Sequence, residues 1–206
     1  SITSIDAART EQIRALLRTN FDWEYLIQTA GRHGVTPLLS RSLHTIASDN
    51  VPQAILGQLR HQFQTNAARN LFLTDELLKL LQLLEACAIP ALPYKGPVLA
   101  ASLYGNVALR EFSDLDILVR ERDHPGAQHL LSANAYRLMK TFEYESTYVD
   151  SSGRVAVDLH KRMTSRDFSC PLQFEHVWER RQHTVLLGTQ VPTLSPEDTL
   201  LMLAIQ

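Results

Sequence analysis

Cysteine is almost missing from this chain. Only Cys87 and Cys170 occur in 206 residues, far apart and in no CxxC or Cys/His spacing. That excludes a disulfide framework and a structural zinc site and points to a reducing compartment, so the expected location is cytoplasmic. Charge of one sign is missing as well. Twenty Lys and Arg against twenty-two Asp and Glu leave a formal charge of -2, which gives no global basic field and excludes bulk nucleic-acid binding by electrostatics. No apolar run approaches the ~20 residues that span a bilayer, and the start carries no signal-like apolar segment, so no membrane partner is expected. Internal repeats and low-complexity tracts are absent. His33, His44, His61, His124, His129, His176 and His183 show no ligand spacing and read as surface or core residues.

What is present begins with helices. Ile5, Ala8, Ile13, Leu16 and Leu17 recur at helical spacing over 5–20, and Asp22 is placed to cap a second helix through Trp23, Leu26, Ile27 and Ala30. Thr36-Pro37 opens a third, which Asp49-Asn50 ends. Pro52 introduces a fourth over 54–88, whose Leu73, Leu77, Leu80, Leu81 and Leu84 share one broad face; the stripe predicts a buried helix, since no heptad persists. A short helix is predicted over 123–134. Two strands follow, 136–149 and 154–160, joined by the turn signal Asp150-Ser151-Ser152-Gly153 as an antiparallel hairpin. A helical segment over 172–181 and a second hairpin, 184–187 with 191–193, lead to Ser195-Pro196-Glu197-Asp198, an N-cap with proline at N1 and acids in the first turn. The helix opened there stops at Gln206, and is expected to continue in a longer protein.

The chain is organised around 91–119. An apolar run ends at Lys95-Gly96, Pro97 opens a helix, a loop carries Arg110, and a strand holds Asp114 and Asp116. Strand side chains alternate, so both carboxylates point one way while Leu115, Ile117 and Val119 point the other. Asp158 lies on the polar side of a later strand with His160, a side read as facing solvent. Like charges gathered closely repel unless a cation sits between them, and hard oxygen ligands suit Mg²⁺ or Mn²⁺. Asp114, Asp116 and Asp158 are thus candidate catalytic and metal-binding residues. A lysine, a glycine and a helix N-terminus suit a phosphate, which makes Lys95 and Gly96 candidate nucleotide contacts, with Arg110, Ser113 and His160 beside them.

These residues resemble a known family. The Lys95-Gly96 turn, the arginine loop, Ser113-Asp114-Leu115-Asp116 and the later Asp158-Leu159-His160, with Gly34-Val35-Thr36-Pro37-Leu38-Leu39 and Ser195-Pro196-Glu197-Asp198 near the two ends, are similar to the uncharacterised nucleotidyltransferase family of the DNA polymerase β superfamily. The resemblance implies an α+β fold: a polymerase β-like core with a mixed sheet flanked by helices over 70–194, after an N-terminal helical region over 1–69 and before a C-terminal helix starting at 195. It implies transfer of a nucleoside monophosphate from an NTP such as ATP to a hydroxyl-type acceptor, with Mg²⁺ and release of pyrophosphate. The acceptor, whether small molecule, peptide, protein or RNA, is left open. In that family a serine or glycine follows the turn glycine. Here Pro97 lacks both hydroxyl and N–H, so phosphate contact is expected to rest on Lys95, Arg110 and later amides.

Two other readings compete. A glycosyltransferase uses D-x-D to hold a nucleotide sugar, but predicts an early βαβ unit where this chain has some ninety residues of helical pattern. A non-catalytic nucleotide-binding or scaffold module would keep the fold without turnover, and the three acids argue against it.

Overall fold

The computed structural model describes residues 7–19, 21–46, 48–164 and 172–205, which include eight α-helices and seven strands. Two compact units divide the chain: Ser1–Leu71 with Leu103–Phe112, and Phe72–Ser102 with Ser113–Gln206.

In the first unit α2 and α3 begin where the sequence offers a start signal. After α1 (Ala7–Leu17), the Asp22 carboxylate accepts from the Tyr25 N–H at 2.9 Å and opens α2 (Trp23–Arg32), a cap worth about 1 kcal/mol. Gly34 takes φ +64°, where a side chain is strained, and so turns the chain into α3 (Thr36–Ile46). A 3₁₀ turn, Ser48–Asn50, then leads to the long α4 (Gln53–Ala86). Leu17, Ile27, Leu43, Val51, Leu56 and Leu59 form the core of this unit, each buried side chain stabilising by about 1.5–3 kcal/mol. Asn66 and Asn70, four residues apart on one face of α4, donate to a loop that includes the 3₁₀ turn Val107–Leu109: Asn66 to the Ala108 carbonyl at 3.0 Å, Asn70 to those of Val107 and Arg110 at 2.7 Å each. The Arg110 backbone is fixed in this way.

The second unit is built on a five-stranded sheet. Its strands are β1 (Ala91–Pro93), β2 (Asp114–Val119), β3 (Tyr136–Thr141), β4 (Glu145–Asp150) and β5 (Ala156–His160), in the order β1-β2-β5-β4-β3. β2 and β5 are parallel and the other neighbours antiparallel, so the sheet is mixed, as the resemblance implies. The strand expected over 136–149 is in fact two. Phe142-Glu143-Tyr144 turns the chain, the Phe142 N–H donating to the Glu145 carbonyl at 2.8 Å. Aromatic and β-branched residues on both sides, with no glycine or proline between, hid the turn. The next turn is where the sequence puts it: Gly153 has φ +72°, and the Asp150 carboxylate accepts from the Arg154 and Val155 N–H groups at 2.7 and 2.8 Å.

Helices cover both faces of this sheet. On the face bearing Val157 and Leu159, Gln128 of α6 (His124–Ala133) donates to Ser146 at 3.1 Å, and Ser146 is the register partner of Leu159. On the other, Leu92, Tyr94 and Leu118 pack with Phe174 and Val177 of α7 (Phe174–Glu179) and Met202 of α8 (Pro196–Ala204). A hairpin, β6 (Gln182–Leu186) and β7 (Thr189–Thr193), turns on Leu187 and Gly188, both with positive φ, the geometry that matches strand twist. Ser195 then accepts from the Asp198 N–H to start α8, and Asp198 accepts from Arg180 at 2.7 Å. Cys87 is a free, exposed thiol; Cys170 lies outside the described residues. No helix among the described residues is long and apolar enough to cross a membrane.

Candidate active site

Parallel pairing of β2 and β5 puts Asp114 opposite Ala156 and Asp116 opposite Asp158. Register partners point the same way, and so do residues two apart on one strand; Asp114, Asp116 and Asp158 therefore share one face. Burial, and after it the charges of Asp116 and Asp158, push the Asp114 carboxyl above its usual range. The electrostatics agree with the register.

Asp116 is only 5% exposed, so the expectation of a solvated acid face is corrected. Lys95 and His160 close on the Asp116 carboxylate, an effect the strand's own alternation does not encode. Burial alone would raise the Asp116 carboxyl. It is outweighed by the hydrogen bond from His160 and the positive charge of Lys95, and the net shift is downward. Lys95 Nζ lies 3.2 Å and His160 Nε2 3.3 Å from the same oxygen, Oδ1. Since a carboxylate only accepts, Nε2 carries the hydrogen here.

Tyr94, Lys95 and Gly96 leave the end of β1. The Tyr94 N–H donates to the Asp116 carbonyl at 3.3 Å, which brings the following lysine onto the Asp116 side chain. Gly96 has φ +52° at the first position of α5 (Gly96–Tyr104), a conformation that favours glycine and lets the chain reverse into the helix. The Tyr94 ring meets His160 edge-on at 5.2 Å. Burial raises its hydroxyl well above the ordinary value, with further contributions from Asp116, Glu145, Asp158 and Asp114. Four acids thus act on one buried phenol.

Residues 19–206 match the family described as uncharacterised nucleotidyltransferase. This chain belongs to that family. No curated protein sequence matches the chain. Among solved structures, it is similar to ANT(2'')-Ia in complex with adenylyl-2''-tobramycin, with 16% identity and a TM-score of 0.46 over 59% of this chain and 68% of that one. It is similar to the solution structure of ANT(2'')-Ia at 18% identity and TM-score 0.44, over 59% and 64% of the two chains. The lincomycin-bound lincosamide antibiotic adenylyltransferase LnuA matches at 19% identity and TM-score 0.47, over 62% and 83%. The chain thus spans about two thirds of the ANT(2'')-Ia chains it matches.

The nucleotidyltransferase therefore gathers five of its expected site residues in the second unit: Lys95, Asp114, Asp116, Asp158 and His160. Gly96 opens α5 within the same unit, and Ser113 is exposed immediately before β2. Arg110 falls in the first unit, its carbonyl held by Asn70. Membership sets the glycosyltransferase alternative aside, as do the four helices that precede the first strand.

One acid was missed in the sequence. Glu145, the first residue of β4, is the register partner of His160, and its Oε2 stands 3.3 Å from His160 Nδ1, at ion-pair distance though Nδ1 closes no hydrogen bond. The signal was available: counting back from the turn at Asp150 along β4 aligns Val149 with Ala156 and Glu145 with His160.

Among the described residues, no three acidic, histidine or cysteine side chains form a ready-made metal cage. The donors nevertheless have the chemistry a hard divalent ion requires. Asp158 Oδ1 is buried without a hydrogen-bond partner, and its neighbours already hold the Asp114 carboxyl above its usual range. A cation relieves both conditions.

Proposed function

We propose that this nucleotidyltransferase moves a nucleoside monophosphate from an NTP, ATP among them, to a hydroxyl-type acceptor in the cytoplasm, with a divalent ion, Mg²⁺ or Mn²⁺, held by Asp114, Asp116 and Asp158. The observation that carries the reading is the pairing of Asp116 with Asp158 across β2 and β5, beside the Lys95-Gly96 turn, in a chain of this family. Bound there, the ion supplies positive charge that polarises the phosphates and lowers the cost of the leaving pyrophosphate.

The chain's own residues do the rest. Lys95 leaves Asp116 for a phosphate oxygen, and the first amides of α5, past Pro97, face the anion. Ser113 is assigned to the nucleotide as a further donor. His160 keeps Asp116 ionised and oriented. Asp158, whose Oδ1 has no partner, accepts the acceptor's proton as its oxygen attacks the α-phosphorus. One P–O bond forms, the bond between the α-phosphorus and the bridging oxygen breaks, and pyrophosphate carries away the electron pair.

Label transfer and pyrophosphate release from each NTP, with and without Mg²⁺ or Mn²⁺, test this against Asp116→Ala. Metal-dependent release lost in the variant is the expected result. Nucleotide binding without turnover across a broad acceptor screen would leave a non-catalytic module.

A further inference from the structure

Away from the three acids, a cavity of about 510 Å³ opens within the second unit, among the C-terminal part of α4, the start of β1, the end of α7 and the β6–β7 hairpin. That lies in the ~300–1,000 Å³ range of small-molecule sites. Leu78 and Leu81 of α4, with Ile89, Val191 and Pro192, make its wall aliphatic. At Ala91 it meets the first residue of β1, four residues before Lys95. Arg181 supplies a fixed positive charge. Its Nη1 donates to the Trp178 carbonyl at 2.6 Å and its guanidinium stands 4.1 Å from the centre of the Trp178 ring, so the side chain is oriented before any ligand arrives. The neighbouring Arg180 is bound through two nitrogens by Asp198. No acid among the described residues pairs with Arg181 in that way, and its Nε and Nη2 donors remain for an incoming group.

We propose that this cavity binds a small aliphatic monocarboxylate, its two oxygens on Nε and Nη2 of Arg181 and its hydrocarbon body against Leu78, Leu81 and Val191. Two parallel N–H donors on a planar guanidinium match the two oxygens of a carboxylate. The aliphatic wall takes the apolar body out of water. A nucleobase fits less well, because Trp178 already carries Phe174 in a stack at 5.4 Å and Arg181 at 4.1 Å and so offers no open face. Glu85, exposed on the same wall, repels a second negative charge, which favours one carboxylate over a phosphate dianion. The site is separate from nucleotidyl transfer, and its occupancy is read without NTP or metal.

The test titrates octanoate, 1-octanol and octyl phosphate, each below its micelle concentration, into the ¹⁵N-labelled chain. The indole N–H signals of its two tryptophans are followed, told apart by the loss of one in Trp23→Phe, and each variant is checked for folding by thermal melting. Octanoate is expected to move the Trp178 signal saturably and to leave that of Trp23, in the first unit, in place. 1-Octanol binds about 10-fold more weakly, the value of one charge-assisted hydrogen bond. In Arg181→Gln the acid and the alcohol bind alike, and in Leu81→Phe, where the added ring fills the cavity, both bind more weakly. An unmoved Trp178 signal, equal movement of Trp23, or equal wild-type affinity for octanoate and 1-octanol overturns the inference. So does octanoate affinity unchanged in either Arg181→Gln or Leu81→Phe, and tighter binding of octyl phosphate than of octanoate overturns the assignment to a monocarboxylate.

Discussion

Asp116 and Asp158 are register partners across the one parallel pairing of the sheet. That relation predicts that neither can be replaced without loss of transfer. In the proposed site, removing either carboxylate would loosen a cation whose charge would stabilise the transition state by several kcal/mol, so Asp116→Ala and Asp158→Asn are each expected to lower kcat by at least about 10²-fold. Initial rates of pyrophosphate release, compared at equal folded fraction by circular dichroism, check this. Activity within about threefold of wild type in Asp158→Asn would remove that residue from the site.

Asp114 gives a prediction in pH. Its carboxyl is held above the usual range by burial and by the two neighbouring acids. A carboxyl raised in this way stabilises the fold fully only below its unfolded value, about 3.9, and the contribution is lost as pH rises through the raised value. At pH 7.5 without metal, Asp114→Asn is therefore expected to raise Tm by about 2–4 °C, with no gain near pH 3. Millimolar Mn²⁺ should lift wild type more than the variant. Differential scanning calorimetry at the two pH values decides it, and an equal gain at both would show that charge is not the cause.

Lys95 neutralises Asp116 in the free protein and is assigned to phosphate in the complex. Lys95→Ala should raise KM for the NTP on the order of 10-fold, the value of one charge-assisted hydrogen bond, with a smaller effect on kcat. Steady-state kinetics over a range of NTP concentration separate the two. A pure kcat loss would assign Lys95 to holding Asp116 alone.

The turn between β4 and β5 offers a control away from the acids. Burial would raise the Asp150 carboxyl, but hydrogen bonds from Ser152, Val155 and Arg154 prevail and lower it. Its contribution is present above the unfolded value and is lost as pH falls through the lower folded one. Asp150→Ala should cost about 0.5 kcal/mol at pH 7, solvent screening included, the two proteins converging as pH falls through the lowered folded value. Urea unfolding across that range measures the difference, and a gap that persists in acid would refute an electrostatic origin.

Local chemistry was legible in the sequence wherever a start or turn residue carried it: Asp22, Ser195 and Gly153 each mark a boundary that the structure keeps. Strand alternation placed Asp114 and Asp116 on one side of their strand and Asp158 on the polar side of another, and the parallel register puts the three on one face. Two things escaped. The turn at 142–144 has no glycine, proline or asparagine to announce it, so β3 and β4 read as one strand; and the pairing of Glu145 with His160 across β4 and β5 went unnoticed. The burial of Asp116 and His160 is shared with Tyr94 and Lys95 at the end of β1, a neighbour that the pattern of β2 and β5 alone does not record.

The crossover between β2 and β5 also has a consequence for the nascent chain. Parallel neighbours cannot be joined by a tight turn, so α6, β3 and β4 are all threaded between the two strands before their acids meet. Loop closure of that length is among the slower steps of folding. A ribosome-bound chain that has emerged only as far as β4 holds two of the three carboxylates, so the proposed ion site would be completed late in synthesis, with β5.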